Sequence, residues 1–341
     1  MRGACLRAHG GPQVIEYSPL PVPSPKAGEV RIRIKAAALN HLDLWVRRGL
    51  EHLRLQYPHV LGADGAGIID EVGAGVTGFQ KDQSVIIYPA LSCGNCPHCV
   101  TGIESLCADY HILGESVSGT HAEFLCVPAA NLFPKPDSIT FEEAAAIPLV
   151  FVTAWEMVVN KAQVKAGDWV LIHGAGSGVS GAAIQIASHL KANVIVTSSD
   201  ETKAKKALLL GAQVTISTAT QDFGKEVKRI CPKGVDVILD HVGQVFWEKN
   251  IKLMKSGGAL VTCGATSGFE AKTDLRHLFF RQLRLLGSTM GSRRDFGKIL
   301  DGVAKGYFRA VIDRSFPLAQ ARDAHEYLET GKQFGKVLLI P

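Results

Sequence analysis

The sequence lacks a long hydrophobic run. Its longest apolar stretch, residues 144–155, reaches about half of the ~20 residues that a membrane-spanning helix needs, and Pro148 interrupts it. Arg2 and Arg7 lie near the start without an apolar stretch behind them, which argues against a secretory signal. We therefore expect no membrane insertion and a cytoplasmic location.

The sequence also lacks a block of like charge. The net charge is +5, but Lys and Arg are spread along the chain, and aromatic residues are not interleaved with them. Proteins that bind nucleic acids concentrate basic residues on one face and often alternate them with aromatic side chains. We therefore expect a small-molecule substrate and no nucleic-acid partner.

The eight cysteines are not distributed along the chain in the pattern of a disulfide framework. Four of them, at positions 5, 126, 231 and 263, are isolated. The others form the cluster Cys93, Cys96, Cys99 and Cys107. This C-x2-C-x2-C-x7-C spacing is typical of a tetrahedral zinc site, although an iron–sulfur cluster can use similar spacing. A site with four thiolates has no open position, so the zinc would stabilise a loop rather than catalyse, and His98 is expected to be exposed.

At 341 residues, the chain is long for one core and predicts two domains. The first third is β-rich: residues 30–35 alternate apolar and charged, and the short apolar runs 67–69 and 85–88 lie near glycines. A small barrel-like domain is expected there. After the proline-bearing stretch 132–138, Thr140 is expected to cap a helix.

From about residue 169, short apolar runs alternate with longer helical segments, which predicts βα units around a doubly wound parallel sheet. The predicted strands are 169–173, 193–197, 213–216, 235–239 and 259–263. The predicted helices are 179–190, 201–210, 223–230 and 244–254. The tail from about Ser292 is expected to add helices at 296–305 and 319–329 and a strand at 336–340.

A glycine-rich segment follows the first of these strands. It contains Gly176, Ser177, Gly178 and Val179, and a clean helix comes next. Glycines at a strand-to-helix turn let the backbone approach a pyrophosphate, and the helix N-terminus supplies free N–H groups. The position between a strand and a helix, within a series of βα units, favours a dinucleotide site over an ordinary turn.

The end of the second βα strand bears on the choice of dinucleotide. An acidic residue there would bind the ribose of NAD, whereas this sequence has Ser198 and Ser199 with Lys203 nearby. Small hydroxyls and a lysine can accept a 2′-phosphate, so NADPH is expected. Asp200 could still turn inward and select NADH, and the two serines could also be a plain helix cap.

Taken together, these motifs resemble the medium-chain dehydrogenase/reductase family, the zinc alcohol dehydrogenase and quinone oxidoreductase group. The resemblance covers essentially the whole chain and also rests on residues 62–67, 240–243 and 335–337. It implies a GroES-like β-rich catalytic domain at 1–150 and 292–341, with the cysteine lobe at 93–107, around a Rossmann domain at 151–291. It also implies an active site in the cleft and a homodimer or homotetramer, with the strand that begins at Arg284 as a joining edge.

The sequence departs from the zinc alcohol dehydrogenases of this family at the second, catalytic zinc. The three ligand positions correspond to Asn40, Ala63 and either Leu149 or Val150. Carboxamides are poor zinc ligands and alkyl groups are none, so we expect no catalytic zinc. Asp64 is then left without the metal that it would support, and the family's proton-relay hydroxyl is replaced by Leu42.

With Asn40 in that position, the chain resembles the zinc-free quinone and enone reductases of the family, in which an asparagine lies near the nicotinamide. That branch usually lacks the four-cysteine lobe. The expected catalytic residues are Asn40, Asp43 and Thr153. The expected cofactor-binding residues are His41, Gly176, Ser177, Gly178, Val179, Ser198, Ser199, Lys203, His241, Gly264, Ser288 and Lys336.

Several of these residues could instead have a purely structural role. Asp43 could be a local cap, His41 a structural histidine, and Lys336 a solvated lysine at a strand end. Phe279, Phe280 and Trp45 could wall the substrate cleft or belong to the core.

The favoured function is NADPH-dependent reduction of a quinone or an activated C=C bond, because conjugated acceptors spread the incoming charge without a Lewis acid. Two alternatives remain. The first is a zinc alcohol dehydrogenase whose ligands include His59 or His41. The second is a cofactor-binding sensor or scaffold without catalysis.

Overall fold

The computed structural model of the protein describes residues 1–51 and 53–341. The chain divides into two compact units, the first made of residues 1–150 and 292–341, and the second of residues 151–291. No helix in the described ranges is long and apolar enough to cross a membrane.

The strands, in chain order, are β1 Arg2–Leu6, β2 Ile15–Pro19, β3 Glu29–Ala38, β4 His59–Val60, β5 Asp64–Val72, β6 Ser84–Ile87, β7 Ala90–Leu91, β8 His111–Ile112, β9 Phe124–Pro128, β10 Leu132–Pro134, β11 Trp169–Ile172, β12 Asn193–Ser198, β13 Val214–Ser217, β14 Val235–Asp240, β15 Met254–Thr262, β16 Arg284–Gly287, β17 Ile312–Pro317 and β18 Lys336–Ile340. The α-helices are α1 His41–Arg48, α2 Pro97–Thr101, α3 Phe141–Ala145, α4 Pro148–Trp155, α5 Gly178–His189, α6 Glu201–Leu208, α7 Phe223–Ile230, α8 Gln244–Leu253, α9 Leu275–Arg281, α10 Arg293–Ala304 and α11 Ala321–Glu329.

The first unit is built on a seven-stranded sheet in the order β10-β6-β5-β3-β18-β17, with β9 also paired to β3. Strand β3 alternates buried apolar and more exposed residues, as its period-two pattern predicts, and Val30, Ile32 and Ile34 enter the core. The capping of α3 is as expected, since Thr140 accepts a hydrogen bond from the N–H of Glu143. The central sheet therefore joins segments from both ends of the chain.

The second unit is a six-stranded parallel sheet in the order β13-β12-β11-β14-β15-β16. This is the 3-2-1-4-5-6 order of a dinucleotide-binding fold, so the predicted doubly wound sheet is confirmed. Strand β16, predicted from its apolar sequence, lies at an edge. Strand β15 begins earlier than expected, because Met254 already pairs with Val235.

Two aromatic residues that the sequence allowed as core are exposed. Phe279 is 61% and Phe280 77% exposed, and their rings lie 4.4 Å apart. The core alternative for them is therefore wrong. The core of the second unit consists of residues from the strands and from α7 and α8, such as Leu171, Ile195 and Phe223.

Strand β18 depends on the glycine before it. Gly335 has φ +97°, and a Cβ at this position would lie 2.3 Å from the carbonyl oxygen of Val311. Both the backbone conformation and the close approach of a second backbone exclude a larger residue. This glycine sets the path by which Lys336 enters the sheet.

We predict that Gly335→Ala lowers the free energy of unfolding of the first unit by about 3 kcal/mol, because strain at positive φ and a backbone clash add. Urea denaturation measures this loss. Gly28→Ala is the matched control, since Gly28 has φ +82° but nothing within 4 Å of an added Cβ. It should cost only about 1 kcal/mol. Equal losses in the two variants would contradict the clash.

Candidate active site and zinc lobe

Asn40 lies at the junction of β3 and α1 in the first unit, where its backbone N–H donates to the Asp43 carboxylate at 2.7 Å. The other carboxylate oxygen of Asp43 accepts the N–H of Gly62 at 2.9 Å. Burial raises the pKa of Asp43 to about 7, against the opposing effect of the Asn40 N–H. Asp43 therefore caps α1 and also ties it to the segment before β5.

The side chain of Asn40 is held from two sides. Its amide nitrogen donates to Asp64 Oδ2 at 2.9 Å, and its amide oxygen accepts from Lys336 Nζ at 2.5 Å. Lys336 Nζ also lies 2.8 Å from Asp64 Oδ2, and Asp64 Oδ1 accepts the N–H of Leu149 at 2.8 Å. Asn40, Asp64 and Lys336, all buried, form what we call the Asn40 network.

The position of Lys336 rules out one of the two roles considered for it, and its pairing with Asp64 was not predicted from the sequence. Lys336 is only 3% exposed, so it is not a solvated lysine at a strand end. Its contact with the cofactor stays a prediction. The pairing of Lys336 with Asp64 was missed because the two residues are 272 positions apart and share no local pattern.

His121 is a second residue that sequence reasoning missed. It is 1% exposed, and neither ring nitrogen has a partner among the described residues. Burial, and then the charge of Lys336, lower its pKa to about 3, so the ring is neutral. Its ring lies 6.2 Å from that of His325, at nearly right angles. A neutral imidazole beside Lys336 adds no second cation to the site.

The two histidines considered as ligands of a catalytic metal lie outside the Asn40 network. His59 is buried, with Nε2 3.0 Å from the carbonyl oxygen of Gly114, whereas His41 is exposed at the start of α1. Ala63, which the family resemblance aligns with a zinc-ligand position, is fully buried. Among residues 1–51 and 53–341, the cysteine cluster is the one group of three or more potential ligands close enough to share a metal.

The four cysteines converge as the spacing predicts. Their Sγ atoms all lie within 4.8 Å of one another, and the recorded pairs are 3.5 to 3.8 Å apart. A tetrahedron with Zn–S bonds of about 2.3 Å has S···S edges of roughly 3.8 Å, so the cluster fits zinc. The N–H groups of Asn95 and Cys96 lower the pKa of the Cys93 thiol to about 7, which favours the thiolate. His98 is exposed.

In the second unit, the glycine-rich loop joins β11 to α5. Ser177 precedes the helix, and Ser180 Oγ donates to the carbonyl oxygen of His173 at 2.7 Å. The Nε2 atom of His241 lies 2.9 Å from Ser180 Oγ, and its ring would meet a Cβ at Gly174 at 3.1 Å. His241 therefore packs against the glycine-rich loop, which is compatible with the expected cofactor contact.

A buried chain of hydrogen bonds fixes the strand ends around this loop. His173 lies 3.0 Å from Thr197 Oγ1 and 2.8 Å from Asn250 Oδ1, and Asn250 donates to Asp240. Burial lowers the pKa of His173, which keeps it neutral. Because these residues end β11, β12 and β14, the chain aligns the carboxyl edge where a dinucleotide binds in such sheets.

Two further residues expected to contact the cofactor, Gly264 and Ser288, lie at the same edge. Gly264 follows β15, and Ser288 follows β16 with a buried hydroxyl that has no partner among the described residues. Such an orphaned hydroxyl suits a polar ligand. Thr153, in α4, is buried with Oγ1 3.9 Å from the sulfur of Met290.

The turn after β12 shows which side chain caps α6. The carboxylate of Asp200 accepts the N–H of Lys203 and so caps α6, while Ser198 Oγ bonds to the Asp200 backbone. The serines are therefore not the helix cap. Ser199 is exposed and Ser198 buried.

Comparisons with known proteins agree with this architecture. The family described as "Alcohol dehydrogenase GroES-like domain" matches residues 26–137, and "Zinc-binding dehydrogenase" matches residues 178–305. The chain is 31% identical over 314 residues to an alcohol dehydrogenase of Geobacillus stearothermophilus, covering 92% of each chain.

A quinone oxidoreductase of Rattus norvegicus is 28% identical over 347 residues, covering 100% of this chain and 98% of the relative. A solved structure titled "Crystal Structure of NAD-dependent alcohol dehydrogenase" is 49% identical and superposes with a TM-score of 0.97, with 100% of both chains covered.

These matches and the two-unit fold define an oxidoreductase that resembles both alcohol dehydrogenases and quinone oxidoreductases. The chain belongs to the medium-chain dehydrogenase/reductase family, as the sequence motifs indicated. The alternative of a binding protein without catalysis is set aside by this assignment.

We predict about one zinc per chain, and its loss in Cys96→Ser, because three thiolates no longer close the tetrahedron. Metal analysis by mass spectrometry of the purified protein measures the zinc, and a thermal melt should show a lower midpoint for the variant. Cys126→Ser is the control, since Cys126 lies outside the cluster. Full zinc content in Cys96→Ser would show that these four thiols are not the ligand set.

Proposed function

We propose that the protein transfers hydride from NADPH to a quinone or an α,β-unsaturated carbonyl compound, with one structural zinc and no catalytic zinc. The observation that carries this proposal is the Asn40 network. A buried ammonium, a carboxylate and a carboxamide stand where the zinc alcohol dehydrogenases of this family hold a metal.

The network disfavours a catalytic metal by charge as well as by ligand type. Lys336 already neutralises Asp64 at 2.8 Å. A divalent ion about 4 Å from that ammonium would meet a repulsion of about 8 kcal/mol at an effective dielectric constant of about 20. Asn40, Ala63 and Leu149 supply no thiolate or imidazole to offset this cost.

Without a Lewis acid, the chemistry must limit the charge that develops on the substrate. The bound nicotinamide supplies the hydride. In a conjugated acceptor, hydride adds at carbon and the negative charge spreads to the oxygen, where an N–H of Asn40 can donate. A proton from solvent water then converts this anion into the neutral product. Thr153 offers a hydroxyl for positioning the nicotinamide or the substrate. Asp43 holds the backbone of Asn40 in place.

The dinucleotide would be bound by the second unit. Gly176, Ser177, Gly178 and Val179 supply the turn and the helix N-terminus for the pyrophosphate. His241, Gly264 and Ser288 line the same strand edge, and the orphaned Ser288 hydroxyl supports a polar ligand there. His41 is a further proposed contact from the first unit. The Lys336 ammonium is buried against Asp64 and Asn40, so any contact that it makes with the cofactor contributes little to binding.

The preference for NADPH rests on the turn after β12. Ser199 offers an exposed hydroxyl and Lys203 a cation for the 2′-phosphate. Ser198 would have to exchange its bond to the Asp200 carbonyl oxygen for one to the phosphate. The carboxylate of Asp200 is engaged with the start of α6, which supports this preference because a carboxylate at the ribose would favour NADH.

A second candidate function is NAD-linked oxidation of an alcohol. It is favoured by the 49% identity to a solved structure whose title names an NAD-dependent alcohol dehydrogenase. This reaction would require either a metal site that the described residues do not show or hydride transfer from alcohols without one. The proton-relay hydroxyl is also replaced by Leu42.

We further propose that the enzyme acts in the cytoplasm as a homodimer or homotetramer. The edge strand β16 leaves one side of the parallel sheet unpaired within the chain, and the same strand of a second copy could pair with it.

We predict that the purified enzyme oxidises NADPH with 1,4-benzoquinone and with cyclohex-2-enone, because both acceptors delocalise the incoming charge. Absorbance at the reduced nicotinamide band follows turnover. Simple aldehydes with NADPH, and simple alcohols with NAD, serve as comparison substrates and should give rates at least about 100-fold lower. Faster NAD-linked oxidation of alcohols, or a second zinc per chain, would contradict the proposal.

We predict that Lys203→Met weakens NADPH binding about tenfold or more and leaves NADH binding nearly unchanged, because only NADPH carries the 2′-phosphate. Fluorescence titration of each cofactor measures the two dissociation constants. Lys205→Met removes the same charge from an exposed position on α6 and is the control. Equal weakening of both cofactors in Lys203→Met would remove the basis for the NADPH assignment.

A further inference from the structure

We propose that Lys336 is a positioning residue for the reduction: together with Asp64 it fixes the carboxamide of Asn40 so that one amide N–H faces the substrate, and it neutralises the carboxylate beside that N–H. This inference rests on the proposed function, since it concerns the donor that stabilises the charge left on a conjugated acceptor.

The orientation of the Asn40 carboxamide follows from its two partners. An ammonium can only donate hydrogen bonds, and an ionised carboxylate can only accept them. The amide oxygen must therefore face Lys336 at 2.5 Å, and the amide nitrogen must face Asp64 at 2.9 Å. A flipped amide would place a donor against the ammonium and an acceptor against the carboxylate.

This orientation leaves one donor of the amide unused. The nitrogen of Asn40 carries two N–H groups, and Asp64 Oδ2 accepts one of them. None of the described residues accepts a hydrogen bond from the second N–H. In a residue that is only 7% exposed, an unused N–H is costly, and a substrate oxygen would satisfy it.

The backbone holds Asn40 and Lys336 in register. The N–H of Leu39 donates to the carbonyl oxygen of Val337 at 2.9 Å, which links the residues adjacent to both. Beyond them, β3 and β18 pair, with Ala38 opposite Leu338. The contact between the two side chains is thus set by the central sheet and not by a mobile loop, as an accurately placed donor requires.

The charge of Lys336 matters because of Asp64. That carboxylate accepts from Asn40, Lys336 and Leu149, and its side chain is 0% exposed. Without the ammonium, a buried negative charge would lie next to the N–H that donates to the substrate. It would then repel the negative charge that develops on the substrate oxygen, where little water is present to screen it.

The test is Lys336→Gln, which keeps an N–H donor for the oxygen of Asn40 and removes the charge. We expect kcat for cyclohex-2-enone to fall about 100-fold or more, the usual effect of impairing one charge-stabilising donor. The fall for benzoquinone should be smaller, because the hydroquinone anion is more stable than a ketone enolate. The dissociation constant of NADPH should change by less than about threefold.

Three further variants make the result decisive. Lys336→Arg keeps the charge and should retain more enone turnover than Lys336→Gln. Asn40→Ala removes the donor but keeps the ion pair between Lys336 and Asp64, and it should show the same selective loss of enone turnover. This variant tests the inference even if Lys336→Gln does not fold. Lys332→Gln removes an exposed lysine four residues earlier and should behave as the wild type.

Two outcomes would overturn the inference. If Lys336→Gln weakens NADPH binding and leaves kcat intact, Lys336 is a cofactor ligand. If turnover of both acceptors falls by the same factor, the residue has a general structural role. If the wild-type enzyme reduces neither acceptor, the proposed function itself fails, which is a separate result from that of the variants.

Discussion

The buried ion pair between Lys336 and Asp64 is the constraint on which the first unit depends. Two charges that are 4% and 0% exposed lie 2.8 Å apart, with Asn40 bonded to both. The net contribution of such a pair to stability is small, because desolvation offsets attraction, but removing one partner typically costs about 3–5 kcal/mol. Each charge therefore requires the other, and both require the pairing of β18 with β3.

The second unit is organised by a different principle. The buried polar residues described in this unit include no lysine or arginine. Instead, His173, Thr197 and Asn250 form a chain of hydrogen bonds that ends at the carboxylate of Asp240. This chain fixes the ends of three strands without placing a cation near the loop. The N-terminus of α5, at Gly178, supplies a partial positive charge at this loop.

Local patterns made much of this structure predictable from the sequence. The glycine-rich turn, the cysteine spacing, and the bounds of α7 and β18 depend on residues close together in the chain, where periodicity and turn chemistry are strong signals. The absence of a catalytic zinc, inferred from Asn40 and Ala63, stays a prediction. The partner of Asp64 could not, because it lies 272 residues away and its identity depends on sheet order. Likewise, the sequence suggested Ser198 and Ser199 as a possible cap of α6 and did not identify Asp200 as the cap, since serine and aspartate side chains can both do so.

The distance in sequence between Asn40 and Lys336 has a consequence during synthesis of the chain. The two residues are 296 positions apart, and the whole second unit is translated between them. At typical translation rates, Asp64 is made about 15–60 s before its cation exists. Until then its carboxylate has no ammonium to pair with and is better left in water. The second unit can complete its own sheet in this interval, whereas the central sheet of the first unit must wait for β18, so the nascent first unit has to remain open at that position.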